Sequence, residues 1–167
     1  GIGTVCSVTL NGVLLANRIP TTSVFGGLLE LRQGRPNRFV EIIRYDGTSI
    51  DPLEIFIKSG MTDYTGATED GNGLIGASFR VIPENGRERV LEIAEQLTDV
   101  GLGGFMEIGV PNQPLYGIPV NVDCVGAIVI GGLNPVAILV ENGIDVYSKT
   151  LSGLLPYEKL FSYEDAG

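Results

Sequence analysis

The sequence has 167 residues, no histidine and only two cysteines, Cys6 and Cys124. Without histidine the chain lacks the commonest general base, the usual serine and cysteine relays and the commonest metal ligand. Two cysteines are too few for a zinc site or a disulfide framework, and they favour a reducing, cytoplasmic setting. No apolar run approaches the roughly 18 residues that a membrane span needs. These absences disfavour most enzyme chemistries, a metal site and membrane insertion.

Basic residues are scarce, with 11 Lys and Arg against 20 Asp and Glu and a net charge of −9. Residues 1–58 hold six basic and five acidic side chains, whereas residues 59–167 hold five and fifteen. A nucleic-acid surface needs a basic face that displaces counterions from phosphates, and no such excess exists here. The chain by itself is therefore not expected to bind DNA.

The length suits a single domain over residues 1–167 that can bury its own core. With 44% hydrophobic residues and a mean hydropathy of +0.24, the chain is not disordered. It begins at Gly1, without a methionine or an apolar leader, and is therefore interpreted as a piece of a longer protein.

Capping residues and apolar spacing predict two helices. The run Asp51-Pro52-Leu53-Glu54 is typical of a helix start, with Asp51 as the cap and Glu54 as its reciprocal partner. This helix is predicted to end at Gly60. A longer helix is predicted over residues 85–100, where apolar residues follow helical spacing.

Alternating apolar and polar residues predict a hairpin of strands 29–32 and 39–43 around a turn at 33–37. Further strands are predicted at residues 3–8, 78–82, 104–108 and 127–130. The polar, glycine-bearing segment 65–73 is predicted to be a mobile loop. These elements indicate an α/β fold, a mixed β-sheet with flanking helices.

A shift of 123 positions aligns an early segment of the chain with a late one. The shift pairs Gly3 with Gly126, Leu10 with Leu133, Asn11 with Asn134 and, after a two-residue insertion, Gly27-Leu28-Leu29 with Gly153-Leu154-Leu155. A competing shift of 99 pairs Ile19-Pro20 with Ile118-Pro119, but it keeps a less consistent order of elements. We therefore expect two strand–turn–short helix–strand units, related by an approximate two-fold axis.

Each unit passes through a turn of small or hydroxylated residues into its helix, Cys6-Ser7-Val8-Thr9-Leu10-Asn11 in one and Gly131-Gly132-Leu133-Asn134 in the other. A helix start offers unpaired backbone amides and a partial positive charge, and glycine lets a ligand approach the backbone. Two such starts could hold both ends of a dicarboxylate. Taken singly, each turn is more typical of an ordinary helix cap, so that interpretation stays open beside the binding site.

Four stretches resemble the regulatory domain of the archaeal nitrogen regulatory repressor (NrpR) family. They are GIGTVCSVTLNGVLL at residues 1–15, FGGLLE at 25–30, IDPLEIFI at 50–57 and IGGLNPV at 130–136. The resemblance extends over nearly the whole chain. It implies a repressor of nitrogen-assimilation and nitrogen-fixation genes that acts as a homo-oligomer, binds DNA through a winged helix and is released by 2-oxoglutarate.

The chain departs from that family pattern because it has no winged helix. DNA binding is therefore expected only through a domain absent from this chain. The resemblance implies a single effector-sensing regulatory domain that forms a homodimer, is not an enzyme and uses no cofactor besides its effector, 2-oxoglutarate.

This effector carries two carboxylates and a ketone, so amides, hydroxyls and a cation are expected around it. The candidate ligand-binding residues are Cys6, Ser7, Thr9, Asn11, Lys58, Thr62, Gly131, Gly132 and Asn134. Lys58 is the candidate cation, ahead of Arg44, although a lysine also suits a helix end for electrostatic reasons alone. Cys6 is equally typical of a small buried apolar residue.

Two rival functions stay open. The first is an oligomerisation module without its own effector site, in which the hairpin 28–45 adds to a partner's sheet. The second, an enzyme with Cys6 as nucleophile, is disfavoured because no base stands near it in sequence. The basic cluster Arg32, Arg35 and Arg38 is interpreted as a solvated hairpin tip, or as a contact to a partner subunit or to a DNA backbone.

Overall fold

The computed structural model describes residues 2–148 and 156–161. The helices are α1 (Ser7–Ala16), α2 (Pro52–Lys58), α3 (Tyr64–Glu69), α4 (Arg87–Asp99) and α5 (Asn134–Glu141). The strands are β1 (Thr22–Arg32), β2 (Arg35–Arg44), β3 (Gly73–Pro83), β4 (Phe105–Ile108) and β5 (Cys124–Ile130). Within these residues no helix is long and apolar enough to cross a membrane.

The five strands form one sheet in the order β2-β1-β3-β5-β4. Helices flank this sheet, so the α/β class expected from the sequence is confirmed. Every neighbouring pair is antiparallel, where a mixed sheet was expected. Each strand therefore runs in the opposite direction to its neighbours, whereas parallel neighbours would need a crossover connection.

The predicted hairpin is present as β1 and β2, but its turn is only two residues long. Gln33 and Gly34 both have positive φ, 53° and 73°, as a tight hairpin turn requires. The predicted turn was too long because Arg35 and Pro36 already pair with Arg32 and Leu31. Proline is tolerated there because β2 is an edge strand.

The two predicted helices are confirmed as α2 and α4. Asp51 accepts a hydrogen bond from the Leu53 amide at 2.9 Å, and Gly60 follows α2 with a positive φ of 64°. Glu54 does not complete the reciprocal cap, because its carboxylate lies 2.6 Å from Lys58 Nζ one turn further on.

Two local predictions were wrong. Residues 3–8 are not a strand, since they form an irregular segment that enters α1 at Ser7. This uncharged apolar stretch suits either element, and burial of Leu10 and Leu14 against the sheet decides for the helix. The segment 65–73 is not a simple loop, because most of it lies in α3.

The predicted repeat is not formed as expected. Since no strand precedes α1, the early unit lacks its first element. Asn11 lies within α1, whereas its partner in the alignment, Asn134, is the first residue of α5. The aligned residues 153–155 lie outside the described residues. The alignment therefore matches only the residues that lead into α1 and α5, not two whole units. We call residues 4–11 and 131–134 the helix-entry segments.

The two faces of the sheet carry different layers. Along β3, Phe79 belongs to the apolar cluster on one face, while Ile82 packs with α1 and α4 on the other. Leu28 of β1, opposite Gly76, packs with α2. Because side chains alternate along a strand, positions 76, 78, 80 and 82 of β3 share one face. A polar strip at Ser78 and Arg80 therefore separates the α1/α4 layer from α2.

Candidate functional site

The two helix-entry segments meet on this face of the sheet. Thr4 Oγ1 donates a hydrogen bond to the Gly132 carbonyl oxygen at 2.6 Å. A Cβ placed on Gly132 would lie only 2.5 Å from the Val5 carbonyl oxygen, so glycine is required for this approach. Residues 128 positions apart in sequence are thus neighbours.

Neither helix start is capped by a side chain. Cys6 is the N-cap of α1 and Leu133 that of α5, and neither side chain accepts a bond from the first turn. The first amides of a helix carry a partial positive charge and need an acceptor from outside the helix. At α1 the Ser7 and Val8 amides make no hydrogen bond within the described residues. At α5 the Asn134 amide donates to the Gly131 carbonyl at 3.2 Å and Pro135 has no N–H, so the free donors there are the Gly132 and Leu133 amides that precede the helix.

Asn134 has a structural role at this junction. Its side chain is 2% exposed, accepts a bond from the Gly76 amide at 2.8 Å and donates one to the Gly76 carbonyl at 2.9 Å. The pairing of β5 with β3 ends at Ile130 and Ala77, one residue before Gly76. The carboxamide of Asn134 thus pairs with the β3 backbone one residue beyond the last β5 pair. These hydrogen bonds fix the start of α5 on the sheet.

Gly131 is needed for the same close packing. Its amide donates to the Gly76 carbonyl at 2.8 Å, and a Cβ there would lie 2.6 Å from a methyl group of Leu53. Gly131 and Asn134 are therefore occupied by contacts within the protein.

At the start of α1, two predicted residues contact a third that the sequence did not single out. Arg80 of β3 donates from Nη2 to Ser7 Oγ at 3.1 Å and from Nε to Asn11 Oδ1 at 3.2 Å. Asn11 in turn donates to Ser23 Oγ at 2.9 Å. The Tyr45 ring lies 5.6 Å from the guanidinium carbon. Ser7, Asn11, Ser23, Tyr45 and Arg80 form what we name the Arg80 cluster.

Arg80 is only 3% exposed, and its Nη1 has no hydrogen-bond partner among the described residues. Its described partners are neutral, although a buried cation is normally paired with a carboxylate. The sequence does not single out Arg80, because a lone arginine within a strand usually faces solvent. The available signal was the alternation of β3, which puts Arg80 on the same face as buried Ile82.

The other candidate residues lie outside this cluster. Thr9 is exposed on α1, and Cys6 is half-buried just before it. Lys58 is on the surface of α2, its side chain 73% exposed and paired with Glu54. It has no described contact with either helix-entry segment, so the structure brings Arg80, not Lys58, to this site.

Thr62 belongs to a separate group of contacts around the carboxylate of Glu141, at the end of α5. Glu141 accepts bonds from Thr62 Oγ1 at 2.6 Å, from the Tyr64 and Thr65 amides at 2.8 Å and from Thr65 Oγ1 at 2.8 Å. Burial alone would raise the pKa of Glu141, but these hydrogen bonds outweigh it, so its pKa is lowered. Glu141 thus satisfies the first two amides of α3 from the end of α5, while the local N-cap Asp63 accepts from the Gly66 amide at 3.1 Å.

The hairpin tip behaves as a solvated surface. Glu30 pairs with Arg32 at 3.3 Å and with Arg38 at 3.2 Å, and both arginine side chains are more than 60% exposed. Two open grooves, one between α4 and β4 and one beside Glu30 and Asp63, contain neither Arg80 nor a helix-entry segment. The described residues include no group of three or more Cys, Asp or Glu suited to a metal ion.

Comparison with known proteins shows a close relationship to nitrogen regulators. The family described as NrpR regulatory domains NRD1 and 2 matches residues 1–162. The chain is 38% identical to the global nitrogen regulator NrpRI of Methanosarcina mazei, over 96% of this chain and 50% of that protein. It is also 38% identical to the global nitrogen regulator NrpR of Methanococcus maripaludis, over 97% and 28%. The chain therefore spans half or less of these curated relatives.

A solved structure agrees with the fold. A nitrogen repressor-like protein from Methanococcus jannaschii superposes with a TM-score of 0.72 and 38% sequence identity, covering 87% of this chain and 60% of that one.

Proposed function

The chain belongs to the family of NrpR regulatory domains, and from that premise we propose that it senses 2-oxoglutarate for a transcriptional repressor of nitrogen-assimilation and nitrogen-fixation genes. Its curated relatives are global nitrogen regulators, which makes it a regulatory domain and not an enzyme. The identity of the effector and the target genes belong to the proposal.

The observation that carries the proposal is the junction of two uncapped helix starts. Thr4 and Val5, which lead into α1, contact Gly132, which leads into α5. The start of α1 offers the Ser7 and Val8 amides to one carboxylate, and the segment that leads into α5 offers the Gly132 and Leu133 amides to the other. A dianion with its charges a few bonds apart has the shape and charge for both.

The proposed contacts are drawn from the residues at this junction. Ser7 and Asn11 offer polar side chains at the start of α1, with Cys6 and Thr9 beside them, and Gly132 offers its backbone at the start of α5. Asn134 and Gly131 hold α5 in place instead of touching the effector. Lys58 and Thr62 are paired with Glu54 and Glu141, so neither is retained as a contact.

Sensing becomes regulation when the effector binds one arrangement of subunits better than another. A tenfold preference shifts the balance by about 1.4 kcal/mol. We propose that the repressor is a cytoplasmic homodimer and that DNA is bound through a winged-helix domain absent from this chain.

The second candidate function is an oligomerisation module without its own effector site. It is favoured by the apolar outer surface of α1, where Val8 is 54% and Leu15 is 69% exposed, and by the open edge of β2, where Ile42 is 47% exposed. Burial of such groups against another copy would be favourable.

Titration calorimetry of the chain with 2-oxoglutarate, glutamate and succinate distinguishes the two functions. The sensing proposal predicts saturable binding of 2-oxoglutarate, with weaker binding of glutamate, which carries an added positive charge, and of succinate, which is shorter. If the folded chain binds none of the three but self-associates, the oligomerisation module is the better account.

A further inference from the structure

We propose that Arg80 is the counter-charge of the effector site and that its guanidinium binds one carboxylate of a small dicarboxylate. The identity of that dicarboxylate as 2-oxoglutarate rests on the proposed function. The assignment of Arg80 as the anion-binding residue rests on the geometry of the Arg80 cluster.

The first argument is the absence of a carboxylate partner for a buried cation. Arg80 is 3% exposed, and Ser7 and Asn11 satisfy only Nη2 and Nε. Nη1 has no partner among the described residues. Burying a charge without a counter-charge is unfavourable, so an anion that pairs with Arg80 recovers part of that cost.

Comparison with the other arginines supports this. Carboxylates lie 2.7–3.3 Å from Arg32, Arg38, Arg44, Arg87 and Arg89. The remaining two, Arg18 and Arg35, are exposed on the surface. Arg80 is therefore the one arginine of the described residues that is both buried and without a carboxylate.

The second argument is the position of the guanidinium relative to α1. Arg80 Nη2 contacts Ser7, the first residue of a ten-residue helix that has no side-chain cap. The partial positive charge of that helix start adds to the charge of Arg80. β3 therefore places a guanidinium beside a helix start, and its described hydrogen-bond partners, Ser7 and Asn11, are neutral.

The contacts of Arg80 also fix its orientation. The hydroxyl of Ser7 and the carboxamide of Asn11, one helical turn apart, hold two edges of the planar guanidinium, and the Tyr45 ring lies against it. Such a held guanidinium donates to a carboxylate along a defined direction, which a flexible lysine cannot do. A carboxylate is the group that fits, and inorganic phosphate shares enough of this chemistry to serve as a comparison anion.

The test compares Arg80→Met, which removes the charge at similar length, with Arg80→Lys and with the control Arg89→Met on the surface of α4. Affinity for 2-oxoglutarate is measured by calorimetry, and thermal unfolding is measured with and without 2-oxoglutarate, succinate and inorganic phosphate. We expect binding at least about 30-fold weaker in Arg80→Met, roughly tenfold weaker in Arg80→Lys and unchanged in Arg89→Met.

Stability distinguishes a binding role from a structural one. Arg80→Met removes a buried charge without a carboxylate partner but also the hydrogen bonds to Ser7 and Asn11. These effects oppose each other, so its Tm is expected to stay within about 5 °C of that of the unmodified chain and to lose the rise that 2-oxoglutarate produces. Should Arg80→Met not fold, the side-chain Nε–H signal of Arg80 in the unmodified protein, followed by NMR during titration, replaces it. A shift that saturates with binding supports the proposal, and an unmoved signal overturns it.

The outcomes separate this inference from the proposed function. If 2-oxoglutarate binds equally well to Arg80→Met and the unmodified chain, Arg80 is not the anion site, although the sensing function stands. If the unmodified chain ignores 2-oxoglutarate but succinate or phosphate raises its Tm through Arg80, the anion site stands and the effector is wrong. If none of these anions affects the unmodified chain, both fail.

Discussion

The starts of α1 and α5 have similar sequences, Leu10-Asn11 and Leu133-Asn134, but the two asparagine side chains make different contacts. Asn134 is buried, and both polar groups of its side chain form hydrogen bonds with the backbone of Gly76. Asn11 is part-buried and contacts Ser23 and an arginine that lacks a counter-ion. The difference lies in what each asparagine faces. Asn134 hydrogen-bonds to a strand of the sheet, whereas Asn11 contacts the buried Arg80.

Replacing each asparagine with aspartate gives the largest expected difference between these roles. Aspartate has nearly the same shape as asparagine, but it is negatively charged and has no side-chain N–H donor. Asn134→Asp loses the donor to the Gly76 carbonyl and places a carboxylate against it. We expect a loss of about 3 kcal/mol in the free energy of unfolding, measured in urea by circular dichroism. The control Asn121→Asp, at an exposed position between β4 and β5, should cost about 0.5 kcal/mol or less. Equal losses in both variants would contradict the structural role of Asn134.

Asn11→Asp should behave in the opposite way. A carboxylate there would lie about 3 Å from Arg80 Nε and supply the missing counter-ion from within the protein. We expect unfolding stability to be equal or higher and 2-oxoglutarate affinity to fall at least about tenfold, because the effector must displace that internal ion pair. Calorimetry and urea unfolding measure the two quantities. Lower stability with unchanged affinity would place Asn11 with Asn134 as a structural residue.

A smaller change in the free energy of unfolding is expected at the C-terminal end of α5. Glu141→Gln weakens the carboxylate contacts that cap α3, and we expect a loss of about 1 kcal/mol at pH 7. The exposed Glu95→Gln on α4 is the matched control and should be neutral.

The pH dependence of this contact follows from the lowered pKa of Glu141. Its stabilising contribution is fully present above the ordinary glutamate value of 4.5 and is lost as the pH falls through its lower folded-state pKa. NMR titration of the Glu141 carboxyl carbon measures that value. A midpoint at or above the ordinary value would show that the contacts with Thr62 and Thr65 are not formed in solution.

Much of the fold could be predicted because it follows from local signals. Asp51 and Pro52 define the start of α2, and alternation defines β1 and β2. The segments that were missed depend on distant residues. Asp63 caps α3 locally through the Gly66 amide, but the Tyr64 and Thr65 amides donate to Glu141, 76 positions after Thr65. The start of α1 has no cap of its own, so only packing of Leu10 and Leu14 shows that it is a helix.

The candidate site was predictable in outline only. The two helix-entry segments could be found by their similarity, and the structure brings them together. The cation could not be found in this way, because the charge of Lys58 stands out at a helix end whereas Arg80 lies in a strand. Its importance depends on burial and on the absence of a carboxylate nearby, and both are properties of the folded chain.

The central claim is most directly tested by a crystal structure of the chain with 2-oxoglutarate bound. The account predicts one carboxylate within about 3 Å of Arg80 Nη1 and the second at the Gly132 and Leu133 amides that precede α5. Effector bound elsewhere, for example in the groove between α4 and β4, with only a water molecule on Arg80 Nη1, would contradict it.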